Sequence, residues 1–413
     1  MANTTTTTST GTGTGTTGST GSTGRLPLLD VLRGAAILGT LMTNVWIFAT
    51  PGSEWSVVQG TLGTADPLTD PSAATIAAFV FRFLADGKFL ALLTILFGVG
   101  LAVQYDSAAR RGNPWPGAYW KRAAFLFLEG TVHFVLIFAW DVLMGYAVTA
   151  LLAAWLLARS EKVRRRVGGW AIGVHLALMS LLTLGSFAGD DGSGSAQPTA
   201  TDTAAVGVYA RGSWADQIAF RLDHALTLRI EPVFSFGLLL FLFLLGVRLY
   251  RAGAFAPTDA GRRLRTRLAL WGLGLGLPLN AACSLGGDDF FLLGRYAAAP
   301  LVAVGYIGLI GWALDRLPVP AALTTSLSSV GRTALSCYVL QNSLCMLACY
   351  GLGLGLAEQL DGSGPWWVMG LWAAVCVVLV TGSRLWLRRF DRGPLESVQR
   401  WALSPRRREP VRV

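Results

Sequence analysis

The sequence predicts an all-α, polytopic membrane bundle with about ten transmembrane helices, on three observations. The 413 residues are 53% hydrophobic and only 14% charged. Apolar runs of roughly 18 residues or more, long enough to cross a bilayer as helices, recur from one end of the chain to the other. Basic residues gather between alternate runs, as cytoplasmic loops of multi-pass proteins favour. The net charge of +10 therefore belongs to loops beside spans and does not point to nucleic acid.

Residues 1–24 are almost wholly Thr, Gly and Ser, too polar to offset the entropy of ordering, and are expected to be a disordered tail. They lack the basic start and apolar stretch of a secretion signal. The first span is expected from about Val31 to Ala49. Along it Ala35, Gly39 and Thr43 recur beside Ala36, Thr40 and Asn44, a ridge of small residues that admits a close helix neighbour. Asn44, a buried amide needing partners, is a candidate to line a cavity.

Residues 50–72 read as a loop without Lys or Arg. The second span, about Ala74 to Tyr105, is too long to cross upright, so it begins at the interface or breaks near Gly87. Arg82 and Asp86 share a helix face with Lys88 just beyond, and the plain reading is an ion pair reaching the membrane surface. Spans three and four form a hairpin, Arg122–Ala158, that turns at Trp140-Asp141. Span five runs from about Val167 to Ala188, and a polar loop follows to about Thr203. From Tyr209 to Arg229, Trp214, Ile218, Leu222 and Leu226 are spaced as one apolar face, predicting a helix along the outer surface with His224 solvated on it. Span six is about Pro232 to Tyr250, span seven Leu268 to Leu285, span eight Phe290 to Leu314, span nine Leu327 to Gly355 and span ten Pro365 to Trp386. Thr333, Cys337, Gln341, Cys345 and Cys349 mark a polar stripe on span nine, with Tyr338 and Asn342 beside it. The expected domains are the tail 1–24, the transmembrane unit 25–392 and a basic cytoplasmic tail 393–413.

With the amino terminus inside, 28 of the 34 Lys and Arg residues fall in or beside inner segments. This supports both termini being cytoplasmic. It also brings Asn44, Arg82, Asp86, Lys88, His133, Asp141, Arg229, Glu231 and Arg295 to the outer leaflet.

The five cysteines lie in apolar runs without CxxC spacing, so neither disulfides nor zinc is expected, and no metal site is assigned. The chemical candidates come from the hairpin. His133 sits in hydrocarbon-facing sequence, where a titratable ring marks a functional site by default. A neutral imidazole there serves as base or nucleophile, and a carboxylate such as Asp141 would fix its tautomer, although sequence alone leaves open whether the two meet. His133 and Asp141 are the catalytic candidates. Arg82, Arg229 and Arg295 would hold an anion or stabilise an oxyanion, and with Asn44, Lys88 and Gln341 they form the substrate-binding candidates. His175 is assigned to packing.

Several blocks in order, LDVLRGAAILGTLMTN, GKFLALLTILFGVGLA, HFVLIFAWDVLMGYA, FLLGVRLYRAG, GRTALSCYVLQNSL and FDRGPLESVQRW, resemble the YeiB-like family of bacterial multi-pass membrane proteins. The family pattern falls on Asp30, Arg33, Gly34, Asn44, Lys88, His133, Asp141, Gln341 and Glu396. The LDxLRG block also resembles that of transmembrane acyltransferases. That likeness implies an acyl-CoA donor from the cytoplasm and a small-molecule or glycan acceptor; no tightly bound cofactor is expected, and Arg33 with the cytoplasmic basic loops would attract the donor's phosphates. No motif aligns His133 with the histidine of those enzymes. Two functions are therefore carried forward: an acyltransferase acting through His133, and a transporter or permeation protein for a small solute. Membrane lipids are the other expected partners and the bacterial cell membrane the expected location; the sequence does not specify an oligomeric state.

Overall fold

The structure, a computed structural model, describes residues 26–60, 66–189 and 198–404. The expected tail 1–24 and the last nine residues of the basic tail lie outside the described residues. Among the described residues the chain is helical, with no strand.

Helix α1 (Pro27–Ala49) starts on a proline in its first turn, with Asp30 near its amino end. It packs chiefly on the helix Ala321–Arg332 and also on Lys88–Arg110 and Ala334–Cys349. The contact is backbone to backbone: a Cβ on Gly34 would strike the Leu327 carbonyl, and one on Gly331 would strike that of Asp30. The short α2 (Glu54–Gln59) follows. The second apolar run does break near Gly87, giving α3 (Ala73–Ala85) and α4 (Lys88–Arg110). Gly87 has φ 74°, which an L side chain rarely adopts. The hairpin is α5 (Tyr119–Leu136) and α6 (Leu143–Leu157).

α7 (Glu161–Gly189) is long and mostly outward-facing. The expected surface helix is three pieces, α8 (Ala200–Arg211), α9 (Trp214–Asp223) and α10 (Ala225–Leu228). Trp214, Leu222 and Leu226 of the expected apolar face are exposed, while Gln217 and Arg221 are buried beside Phe220. Lipid is no worse a solvent than a protein core for apolar side chains, so the polar face can turn inward. His224 is half-buried against Phe220 and Trp55, not solvated, with ring centroids 4.3 and 5.0 Å away.

A one-turn α11 (Glu231–Phe234) leads into α12 (Phe236–Arg251), which packs on α4. α13 (Asp259–Leu285) lies against the helix formed by α14 (Phe291–Leu293), a π-helical turn at Gly294–Ala298 and α15 (Ala299–Arg316). π-turns of this kind cluster at functional sites, and this one carries Arg295 and Tyr296.

The expected span nine is not one helix. α16 (Ala321–Arg332) and α17 (Ala334–Cys349) meet at Thr333, whose hydroxyl donates back to the Ser329 carbonyl at 3.0 Å. The amino end of α17 is instead capped from afar, by Glu396. After α18 (Leu356–Gln359) and α19 (Trp366–Trp386), α20 (Pro394–Leu403) folds back inside the expected basic tail. There Glu396 Oε1 accepts from the Leu335 N–H at 2.8 Å.

Among the described residues, six stretches are long and apolar enough to cross a membrane: α1, α3 with α4, α7, α13, Asp288–Arg316 and α19. α6 and α17 are apolar but shorter, at 15 and 16 residues. Large apolar side chains such as Trp170, Leu270 and Val377 face outward on these helices. The chain is a multi-pass membrane protein.

Candidate functional site

The hairpin turn is built by helix termination. The N–H groups of Ile137 and Phe138 both donate to the His133 carbonyl, at 2.9 and 3.0 Å, and close α5 one turn after the histidine. Asp141 then starts α6, its Oδ2 accepting from the Leu143 and Met144 N–H groups at 3.0 and 3.4 Å.

A fully buried pair braces this turn from outside. Arg221 Nε donates to Glu54 Oε2 at 2.9 Å, and neither side chain is exposed. Arg221 also donates to the carbonyls of Val135 and Ile137, at 3.2 and 3.1 Å. Glu54 Oε1 accepts from the Ala139 N–H at 3.0 Å, and the Glu54 carbonyl from the Trp140 indole at 2.8 Å. Sequence reasoning missed this pair. Glu54 read as part of a loop and Arg221 as an outer charge, and only three-dimensional contact joins residues 167 positions apart.

Within this frame His133 is 1% exposed. Its Nε2 lies 3.1 Å from the Asn342 side-chain nitrogen, and Asn44 in turn donates to Asn342 Oδ1 at 3.2 Å. Two amides from α1 and α17 thus hold the ring. With Asn342 donating, the neutral ring carries its proton on Nδ1; turning both amides over reverses both bonds and frees Nδ1 as a base. Nδ1 is buried without a partner.

No hydrogen bond joins His133 and Asp141. Tyr338 stands between them, its ring centroid 5.2 Å from that of His133 and its hydroxyl donating to Asp141 Oδ1 at 3.4 Å. Arg229 approaches from the other side, donating to the Asp141 carbonyl at 2.8 Å with its guanidinium 4.0 Å from the Phe134 ring centre. Arg229 and Glu231, adjacent charges in sequence, therefore have different partners: Glu231 pairs with Arg295 at 3.3 Å and accepts from the Tyr296 hydroxyl.

Two cavities of about 290 Å³ each reach this layer from opposite ends of the bundle. The first opens where α1, α5 and α17 begin. Along these helices its lining passes inward from Arg33 to Ile37, from Arg122 to Leu126, and from Leu335 to Tyr338. Arg332 and Glu396 add to its polar part, while Leu93, Leu96 and Phe97 of α4 supply an apolar wall.

The second cavity takes its walls from the far half of α1, including Asn44, and from Arg82, Asp86, Trp140, Glu231 and Arg295. Tyr338 lines both cavities, and the consecutive residues Val142 and Leu143 line one each. The partition is about one side chain thick. Two buried atoms on the walls of the second cavity lack partners, the Trp46 indole nitrogen and Asp86 Oδ1.

Arg82 and Asp86 form the expected pair at 3.3 Å. Lys88 does not reach a membrane surface as the plain reading had it. It is 1% exposed, donates to the Asp86 carbonyl at 3.3 Å, and lies 4.8 Å from the Phe83 ring centre. With Arg82, Asp86 and Arg295 it lines a neighbouring cavity of about 240 Å³. Gln341 is buried on α17 with its amide unpartnered and lines neither large cavity. His175 ties helices together, its ring nitrogens 3.4 and 3.1 Å from the Phe234 and Tyr296 carbonyls. Glu129, one turn before His133 on α5, was also missed. Its signal was present, as the lone acid in an apolar helix at the spacing that shares a face with the histidine.

Comparison with known proteins fits these blocks. Residues 249–405 match a family model described as a protein of unknown function, DUF418. The chain is 29% identical to the uncharacterized protein YxaH of Bacillus subtilis over 92% of its own length and 94% of that protein's. It is 27% identical to the uncharacterized protein YeiB of Escherichia coli, over 89% of this chain and 93% of that one. No solved structure matches it significantly. The chain is similar to these two relatives along nearly its whole length, and the DUF418 match lies towards its carboxyl end.

Proposed function

We propose that this protein is a membrane-embedded acyltransferase that takes an acyl group from a CoA-type donor at one face and delivers it to a small-molecule or glycan acceptor at the other. The observation that carries the reading is the convergence of two cavities on Tyr338, beside a histidine with a free ring nitrogen. Arg33, Arg122 and Arg332 would hold donor phosphates, as guanidinium groups do well. The apolar wall behind them suits a pantetheine arm and acyl chain. Asn44, Arg82 and Arg295 would receive the acceptor, with Lys88 beside them. Arg229 and Gln341 would position the central layer, and His133 would remove the acceptor's proton. In this reading ten helical segments cross the bacterial cell membrane, with α5, α6, α12 and α17 added to the six longer spans. Both termini and the Arg33 cavity then lie in the cytoplasm, which the distribution of basic residues supports.

The thin partition favours one other reading, a transporter that alternates access between the two cavities. Labelled acetyl-CoA supplied to purified protein with glucose as a hydroxyl acceptor separates them. Label in the acceptor, abolished by His133→Ala in a protein that still elutes as a folded species, supports transfer. Equal labelling by His133→Ala overturns the role of the ring. Glucose flux across vesicles without CoA-dependent labelling supports transport instead.

A further inference from the structure

We propose that Glu129 carries a proton between His133 and the cavity that receives the donor. The proposal rests on the acyl-transfer reading and deepens it. Glu129 lies on α5 with both carboxyl oxygens buried and without a hydrogen-bond partner. The other acids of this region are all held: Glu54 by Arg221 and a backbone N–H, Asp141 by two backbone N–H groups and Tyr338. Both of those carboxyl groups have partners, and Glu129 does not.

Its position is as specific as its lack of partners. Arg122, Leu126, Glu129 and His133 follow one another along α5 at steps of four, three and four residues, so they share one face with successive Cβ atoms about 5–6 Å apart. Arg122 and Leu126 line the donor cavity, and His133 lies beyond its end. Glu129 fills the interval. The acids facing it from other elements are Asp141, from the turn before α6, and Glu396, from α20. Arg229 donates to the carbonyl of the next residue, Gly130, at 3.4 Å.

The reaction needs a group in this place. Transfer from a thioester to a hydroxyl breaks the carbonyl C–S bond, forms a C–O bond, and moves one proton from the acceptor oxygen to the leaving sulfur. The acceptor oxygen and the sulfur meet the same carbonyl carbon at the partition, one from each cavity, so the proton is given up on the acceptor side and needed on the donor side. His133 takes it from the hydroxyl. Glu129, acting in its carboxylic acid form, gives its own proton to the thiolate and is reloaded from His133. Nothing is oxidised or reduced, and both residues end as they began.

The test compares donors whose leaving sulfur does or does not need a proton. Transfer to glucose is measured for wild type and Glu129→Gln with acetyl-CoA and with the acetyl thioester of p-nitrothiophenol, whose thiolate leaves unaided. With acetyl-CoA, Glu129→Gln is expected to lose about 10²–10⁴-fold in kcat/KM, the usual size of general acid–base catalysis. With the aryl thioester most of that loss disappears, whereas His133→Ala stays impaired with both donors. A glutamine of the same shape preserves packing, and size-exclusion chromatography confirms that the variant is folded. Glu129→Asp, which keeps the carboxyl group, retains part of the acetyl-CoA rate. Equal loss with both donors, or no loss, overturns the relay and leaves acyl transfer standing. Wild-type protein that transfers from neither donor overturns the acyl-transfer reading and the relay with it.

Discussion

The Tyr338 hydroxyl donates to Asp141 at 3.4 Å, and the same side chain is common to the two cavities that enter the bundle from opposite ends. Asp141 is fixed by the first N–H groups of α6. The bond therefore ties the partition, carried on α17, to the start of another helix. Tyr338→Phe is expected to keep the cavities separate, because the ring remains. Tyr338→Ala removes the ring and joins them, so vesicles bearing it should leak small solutes that wild-type vesicles retain. It should also lose about 3–5 kcal/mol of stability, as when other large aromatic side chains are cut back. Fluorescent-dye efflux and thermal unfolding in detergent measure the two effects.

The arginines of the donor cavity make a separable prediction. Arg33→Ala, Arg122→Ala and Arg332→Ala should each raise KM for acyl-CoA by about tenfold or more, since a hydrogen bond to a charged group contributes about 1.5–3 kcal/mol. Transfer from a short thioester without phosphates should be unchanged. Steady-state kinetics with the two donors checks this.

The Glu54–Arg221 pair should matter to folding more than to chemistry. Removing one member leaves a buried charge without its partner, which costs about 3–5 kcal/mol. Glu54→Ala is expected to lower the unfolding temperature sharply, and Glu54→Ala with Arg221→Met should recover part of the loss. Differential scanning fluorimetry of the three proteins decides.

Outside the spans, Asp202 caps α8 and accepts from the Trp55 indole at 2.8 Å, and that bond with the Thr199 N–H holds its carboxyl below the usual carboxylate range. A depressed folded pKa gives stability that is complete above the unfolded value of about 3.9 and is lost as pH falls through the lower folded value. Hydrogen exchange in the first turn of α8 should therefore stay slow at neutral pH and quicken only in acid, and Asp202→Asn should remove that pH dependence.

Much of the bundle was legible in the sequence because lipid imposes long apolar helices with a strong periodic signal. The hairpin turning at Trp140-Asp141 and the break at Gly87 were both readable, one from a polar pair between apolar runs and the other from a run too long to be upright. Thr333 was not. Nothing local stops a helix there, and the cap that starts α17 comes from Glu396, 61 residues from the Leu335 N–H it binds.

The polar residues from several spans do meet, around Asn44, Arg82, Glu231 and Arg295. What sequence lacked was the pairing. Asn342 and not Asp141 holds His133, and Arg229 and Glu231 turn to different partners. Arg221 counted as an outer charge because topology alone places it, whereas its side chain turns inward to Glu54 while Trp214, Leu222 and Leu226 of the same segment face out.

Vesicles loaded with glucose and supplied outside with acetyl-CoA, labelled separately in its acetyl group and in its CoA portion, test the central claim most directly. The account predicts that acetyl label accumulates on luminal glucose while CoA label stays outside, and that His133→Ala stops the first without changing the second. CoA label entering with the acetyl group, or equal luminal acetylation by His133→Ala, would contradict it.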